Sequence, residues 1–193
     1  MMSKQKFSVL VIKEGTKEKF LRIFQKNDWL LTGEEQRTDE KPYEIIWRTD
    51  DSKSTVHYIQ DHIMERNYFI IKGENIAQVK DDILDMFSRY LYTEDEIFEM
   101  WKKAKSQEEK IRAIYYVGVA APSEPDSRLL NIFKEAFGDP DSEVRLAAVW
   151  AVSYVDWHEV QKLVKDASIS DSNEEVRDTA ATLMKSYERG IGM

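Results

Sequence analysis

The sequence predicts an α+β chain: a small, mostly antiparallel sheet with helices over residues 1–92, followed by an α-helical solenoid of about two and a half repeats over residues 93–193. Three observations carry that prediction. Short runs rich in β-branched and aromatic residues crowd the first half: "FSVLVI" (7–12), "YEIIW" (43–47), "TVHYI" (55–59) and "YFIIK" (68–72). The second half repeats itself, with an acid, then a β-branched residue and an arginine. The pairs are Ile111-Arg112, Val144-Arg145 and Val176-Arg177, spaced by 33 and then 32 residues. Finally, "SEVRLAAVWAV" (142–152) is apolar nearly all round except for Arg145, and such a helix must be covered on both sides.

The elements of the first half follow in order. After the strand at 7–12, residues 16–27 have helical spacing that buries Phe20, Ile23 and Phe24. "RTDDSKS" (48–54) makes a hairpin-type connection between the next two strands. The order β-α-β-β-β leads to a helix at 75–90, with Asn75 as its N-cap. No Pro/Gly/Ser-rich linker separates the halves, so they are expected to pack as one rigid body with that helix shared. Val79-Lys80, 32 residues before Ile111-Arg112, hints at a degenerate earlier repeat.

In the second half a capping box from Thr93 to Glu96 opens one helix, and "DWHE" (156–159) has the form of another. Shorter amphipathic helices at 126–137 and 156–167 lie between the arginine-bearing windows. Asp139 precedes Val144-Arg145 and Ala147-Ala148, and the same set returns as Asp171, Val176-Arg177 and Ala180-Ala181. On those residues the chain, over about residues 106–189, resembles the HEAT-repeat family in its short form, like that of phycobilisome-lyase proteins. The resemblance implies a hydrogen-bonded ladder between neighbouring repeats built from Asp139, Arg145, Asp171 and Arg177. Arg112 takes the same role in the first unit, where Ser106 replaces the aspartate. Asp178, Thr179, Thr182, Lys185, Ser186 and Glu188 form the polar outer face of a terminal cap.

The resemblance also implies that the second helix of each unit lines a concave face. Taking the helices at 126–137 and 156–167 as those second helices, the exposed positions are Arg128, Asn131, Lys134, His158, Gln161, Lys162 and Lys165. They make a modestly basic stripe, a ridge for an acidic segment of a protein partner. The expected function is therefore a non-catalytic protein-interaction module, in one version an immunity or regulatory protein.

The remaining chemistry is thin. A net charge of −8 disfavours broad binding to nucleic acid or anionic lipid. No apolar run reaches the roughly 18–20 residues that span a bilayer. "MMSKQKFSVLVIKEG" has no small-residue cleavage site, and the absence of cysteine fits a reducing cytoplasm. The glycines form no phosphate-cradling loop and no GxSxG elbow is present. "HYIQDH" places His57 and His62 on opposite faces of a strand, so a zinc site with Asp61 is the weaker reading, and neither metal nor cofactor is expected. The second reading is a nucleic-acid-acting or lyase-like enzyme on the same scaffold. It needs an aromatic cluster near an acid, and Trp150, near Trp157 and Asp156, is expected in the core instead.

Overall fold

A computed structural model describes residues 7–13, 17–39, 41–62 and 64–189. The reading of a leader-free N-terminus falls partly outside the described residues. The chain divides into two units, Met1–Tyr92 and Thr93–Met193.

Among the described residues the first unit holds a five-stranded sheet and two α-helices. Its elements are β1 (Phe7–Val11), α1 (Lys17–Lys26), β2 (Leu30–Glu35), β3 (Tyr43–Arg48), β4 (Ser54–Asp61), β5 (Arg66–Gly73) and α2 (Ile76–Phe87). The strand order is β1-β5-β4-β3-β2, with every neighbouring pair antiparallel. Strand alternation sends Leu10, Ile45, Trp47, Val56, Tyr58, Phe69 and Ile71 into one core. Phe20 and Phe24 of α1, four residues apart, and Val79, Ile83 and Phe87 of α2 close over it. The rings meet edge-on, as at Phe20–Phe69 and Phe20–Phe87, both 5.2 Å between centroids.

Three sequence expectations change here. The β-α-β-β-β order omits β2, whose residues "LLTGEE" carry no alternation. β2 is an edge strand with Leu30 and Leu31 exposed, and its register with β3 shifts between Leu31 and Gly33. A strand that buries almost nothing writes no period into the sequence. The hint of an earlier repeat at Val79-Lys80 also gives way, because Val79 belongs to the sheet core and α2 packs on β1 and β5. Asn75 stands at the N-cap of α2 but does not cap it; its side-chain amide donates to Asp51 Oδ2 at 2.8 Å.

Among the described residues the second unit holds six α-helices: α3 (Glu94–Lys103), α4 (Gln107–Ala120), α5 (Ser127–Phe137), α6 (Ser142–Ala151), α7 (His158–Ser170) and α8 (Glu174–Glu188). Consecutive helices pair as α3/α4, α5/α6 and α7/α8, giving one layer of α3, α5 and α7 and another of α4, α6 and α8. The caps explain the boundaries. Thr93–Glu96 and Ser106–Glu109 are complete capping boxes, and Asp126, Asp141 and Asn173 each accept from early amides of α5, α6 and α8. "DWHE" is not a capping box: α7 starts at His158 with Trp157 at the N-cap and no side-chain cap bond. The Trp157 indole is buried and its Nε1–H donates to the Pro122 carbonyl at 2.9 Å, which sets where the helix begins.

Helix α6 sits between α4 and α8 in its layer and against α5 in its own pair. Val144, Ala147, Ala148, Val149 and Ala151 are all buried, the covering that an all-round apolar helix requires. The α4 contact is close enough to need glycine: a Cβ on Gly118 would lie 2.4 Å from the Ala151 carbonyl oxygen. Trp150 breaks the pattern. It was expected in the core, yet it is 42% exposed.

Candidate functional site

The repeat junctions are built from charge. Arg145 donates from Nε and Nη2 to the two oxygens of Asp171, at 2.8 and 2.9 Å, a bidentate pair across neighbouring repeats. Its Nη1 donates to the Asp139 carbonyl at 2.8 Å, so the residue six positions back is reached through its backbone. Arg177 repeats that contact with the Asp171 carbonyl. Asp171 also accepts from the Asn173 amide at 2.9 Å, and the Arg145 hydrogen bonds hold its carboxyl below the usual carboxylate range.

In the first unit the expected role of Arg112 falls to Lys110. Lys110 Nζ donates to Asp139 Oδ2 at 2.6 Å, while Arg112 is exposed and, among the described residues, has Glu108, 3.8 Å away, as its ion-pair partner. The N-caps show why. Lys110, Arg145 and Arg177 each stand four residues after their caps Ser106, Asp141 and Asn173. The caps are spaced by 35 and then 32 residues, so matching Ile111-Arg112 to Val144-Arg145 shifts the first unit by two positions.

The predicted stripe lies on α5 and α7, which are neighbours in one layer. Asn131, Lys134, His158, Lys162 and Lys165 are exposed there. Arg128 is occupied: its guanidinium lies 3.3 to 3.6 Å from Asp126, Asp95 and Glu94. Gln161 donates to Asp156 at 3.1 Å. Among the described residues Lys134, Lys162 and Lys165 have no ion-pair partner. Of the acids that interrupt the stripe, Glu135 accepts from the Trp101 Nε1–H at 2.7 Å.

The other layer carries a groove that sequence reasoning did not anticipate. Val149 and Trp150 of α6, with Ser153 just beyond it, face Asp178, Thr179, Thr182, Leu183 and Ser186 of α8 across a cavity of about 330 Å³. Most of the α8 positions expected on the polar outside of a cap therefore line a groove with Trp150. The helical spacing of α6 assigned Trp150 to the core because every neighbour in the sequence is apolar.

One row in the first unit has the layout of a nucleophile, a base and its orienter. On the sheet face opposite the helices, His57 Nδ1 donates to Glu44 Oε1 at 2.6 Å, leaving Nε2 to accept from the Thr55 hydroxyl at 2.9 Å. Burial lowers the His57 pKa, with Glu44 opposing, so the ring stays neutral. β4 is a central strand whose amides pair with β3 and β5, so no pair of free N–H groups stands ready for an oxyanion. Asp61, once grouped with His57 and His62, is buried and accepts from the Met64 amide and the Tyr68 hydroxyl. Among the described residues no group of three or more His, Cys, Asp or Glu could hold a metal ion. No helix among them is long and apolar enough to cross a membrane.

Residues 129–155, from within α5 to just past α6, match the family model described as HEAT repeat. The match starts inside α5 and ends just after α6, which makes α5 the leading helix and α6 the trailing one. The sequence reading had the arginine-bearing helix first. In the phase of the match the lysine stripe lies on leading helices, and the Trp150 groove on trailing ones. Comparison with curated proteins and comparison with solved structures each returned no match.

Proposed function

We propose that the chain is a non-catalytic protein-interaction module whose helical solenoid docks an acidic segment of a partner on the α5/α7 layer. An immunity or regulatory role, in which the partner is masked by that docking, is the form this reading takes in a cytoplasmic setting. The observation that carries it is the trio Lys134, Lys162 and Lys165, exposed on adjacent helices and without ion pairs among the described residues. Arg128, Lys110 and Arg145, by contrast, are already paired: Arg128 with three acids, Lys110 with Asp139 and Arg145 with Asp171. Uncompensated charge on a locked scaffold steers an oppositely charged partner and fixes its register.

The test is capture from the source lysate with wild type and with a Lys134→Ala/Lys162→Ala/Lys165→Ala variant, followed by mapping of the contacted segment. A protein held through an acidic segment, released as salt rises from about 0.05 to 0.3 M, and lost with the variant is the expected result. A partner held equally by the variant overturns the ridge. Capture of nucleic acid in its place, with a steep salt slope, overturns the protein reading as well.

A further inference from the structure

The groove between α6 and α8 has a polar lining of one kind. Four hydroxyl residues line it, and three of them have already spent their hydrogen. Ser153 donates to the Trp150 carbonyl at 2.7 Å, Thr182 to the Asp178 carbonyl at 2.9 Å, and Ser186 to the Leu183 carbonyl at 2.7 Å. A hydroxyl that has donated along its own helix offers only lone pairs to the groove. Asp178 adds a carboxylate, exposed and without an ion pair among the described residues. Trp150 adds the face of an indole, 42% exposed, while Val149 and Leu183 supply the apolar floor. Lys185, two turns beyond Asp178 on the same helix, does not line the groove.

A site of acceptors, one carboxylate and an aromatic ring is complementary to a cation that carries several N–H donors on an aliphatic stem. Asp178 and Ser186 mark off about 12 Å of α8 at 1.5 Å per residue. That is longer than a lone amine and matches roughly three to four residues of extended peptide. We propose that this groove docks a basic segment of a partner protein, an arginine or lysine stem lying along Trp150 with its cationic head at Asp178 and the groove hydroxyl oxygens. The proposal is independent of the α5/α7 ridge, which takes the opposite charge on the other layer.

Trp150 is also its own reporter, because Trp29, Trp47, Trp101 and Trp157 are all buried. The experiment labels tryptophan with ¹⁵N in the full chain and follows the indole N–H signals. The Trp150 signal is assigned as the one missing from Trp150→Phe. The probes are acetyl-Gly-Gly-Arg-Gly-Arg-Gly-Gly-amide, its twin with citrulline for arginine, a glutamate version, and n-butylguanidinium alone. The arginine peptide is expected to shift the Trp150 signal saturably. The citrulline twin and Asp178→Asn should each weaken that response by about tenfold, Asp178→Glu should retain it, and the glutamate peptide should leave the signal still.

No shift at about 10 mM arginine peptide overturns the site. So does an equal response to the citrulline twin or from Asp178→Asn. n-Butylguanidinium binding as tightly as the peptide overturns the protein partner and leaves a small free cation as the ligand. The variant lacking Lys134, Lys162 and Lys165 should respond like wild type, so failure of this site and failure of the ridge read out separately.

Discussion

Replacing Arg145 by alanine removes one rung of the ladder and leaves its neighbour stranded. The side chains of Arg145 and Asp171 are 11% and 6% exposed, so neither is well solvated. Arg145 gives up two bonds to the carboxylate, one each to the Asp139 and Pro140 carbonyls, and one to the Ser172 hydroxyl at 3.2 Å. Asp171 then keeps its charge with the Asn173 amide as its remaining backbone donor to the carboxylate. Breaking a buried pair by removing one partner costs about 3–5 kcal/mol. The surviving amide and the open edge of the pair bring the expectation for Arg145→Ala to about 3 kcal/mol. Arg145→Lys keeps the charge but loses the fork, and should fall between. Arg112→Ala, at an exposed i,i+4 pair, should cost under about 0.5 kcal/mol.

The assay is urea unfolding followed at 222 nm, where the helical unit dominates the signal. A cycle with Asp171→Ala should return a coupling energy of about 2 kcal/mol. The pH dependence has a fixed sign. The folded-state pKa of Asp171 is depressed, so the stability it supplies is present above the ordinary carboxylate pKa and is lost as pH falls through the folded value. The gap between wild type and Arg145→Ala should therefore hold from pH 7 to about pH 5 and narrow as pH falls below the ordinary carboxylate value. An Arg145→Ala midpoint matching wild type, or an Arg112→Ala loss as large, would refute the ladder assignment.

Two further outcomes are expected. Gly118→Ala places a Cβ 2.4 Å from the Ala151 carbonyl oxygen and 2.9 Å from its Cβ, and backbone cannot rotate away. The helices must part, at about 2 kcal/mol net of the better helix propensity of alanine, and an unchanged thermal midpoint would show that α4 and α6 do not touch there. The His57 pKa is lowered on folding, so wild type should lose stability as pH falls below the ordinary histidine value, levelling off below the folded pKa. His57→Gln should lack that slope between pH 8 and 5.5, and an identical slope would mean that the imidazole is solvated.

The elements that the sequence disclosed are those whose side chains are buried with a period. β3, β4 and β5 alternate into the core, and α6 is apolar wherever α4, α5 and α8 touch it. What escaped was set by exposure and by register. β2 buries too little to leave a pattern, and Trp150 looks internal because a helical run of apolar residues cannot say which one faces a gap. In the first unit the contact to Asp139 comes from Lys110, two positions before Arg112. Residue type alone pairs Ile111-Arg112 with Val144-Arg145, whereas the chain aligns by its caps, Ser106 with Asp141. A capping residue was the better ruler because it marks where a helix starts, and the arginine position follows from that start.

Each rung passes a positive group forward and receives it on a negative one, since Lys110 reaches the aspartate of the following repeat and Arg145 does the same one repeat later. The stack is thereby a polar chain with a head and a tail. Inserting a whole unit brings one cation and one anion together and leaves the interior neutral, whereas inserting half a unit leaves a buried ion unmatched. Such an array can lengthen or shorten by complete repeats without rebuilding its junctions, and it is held in step against partial slips.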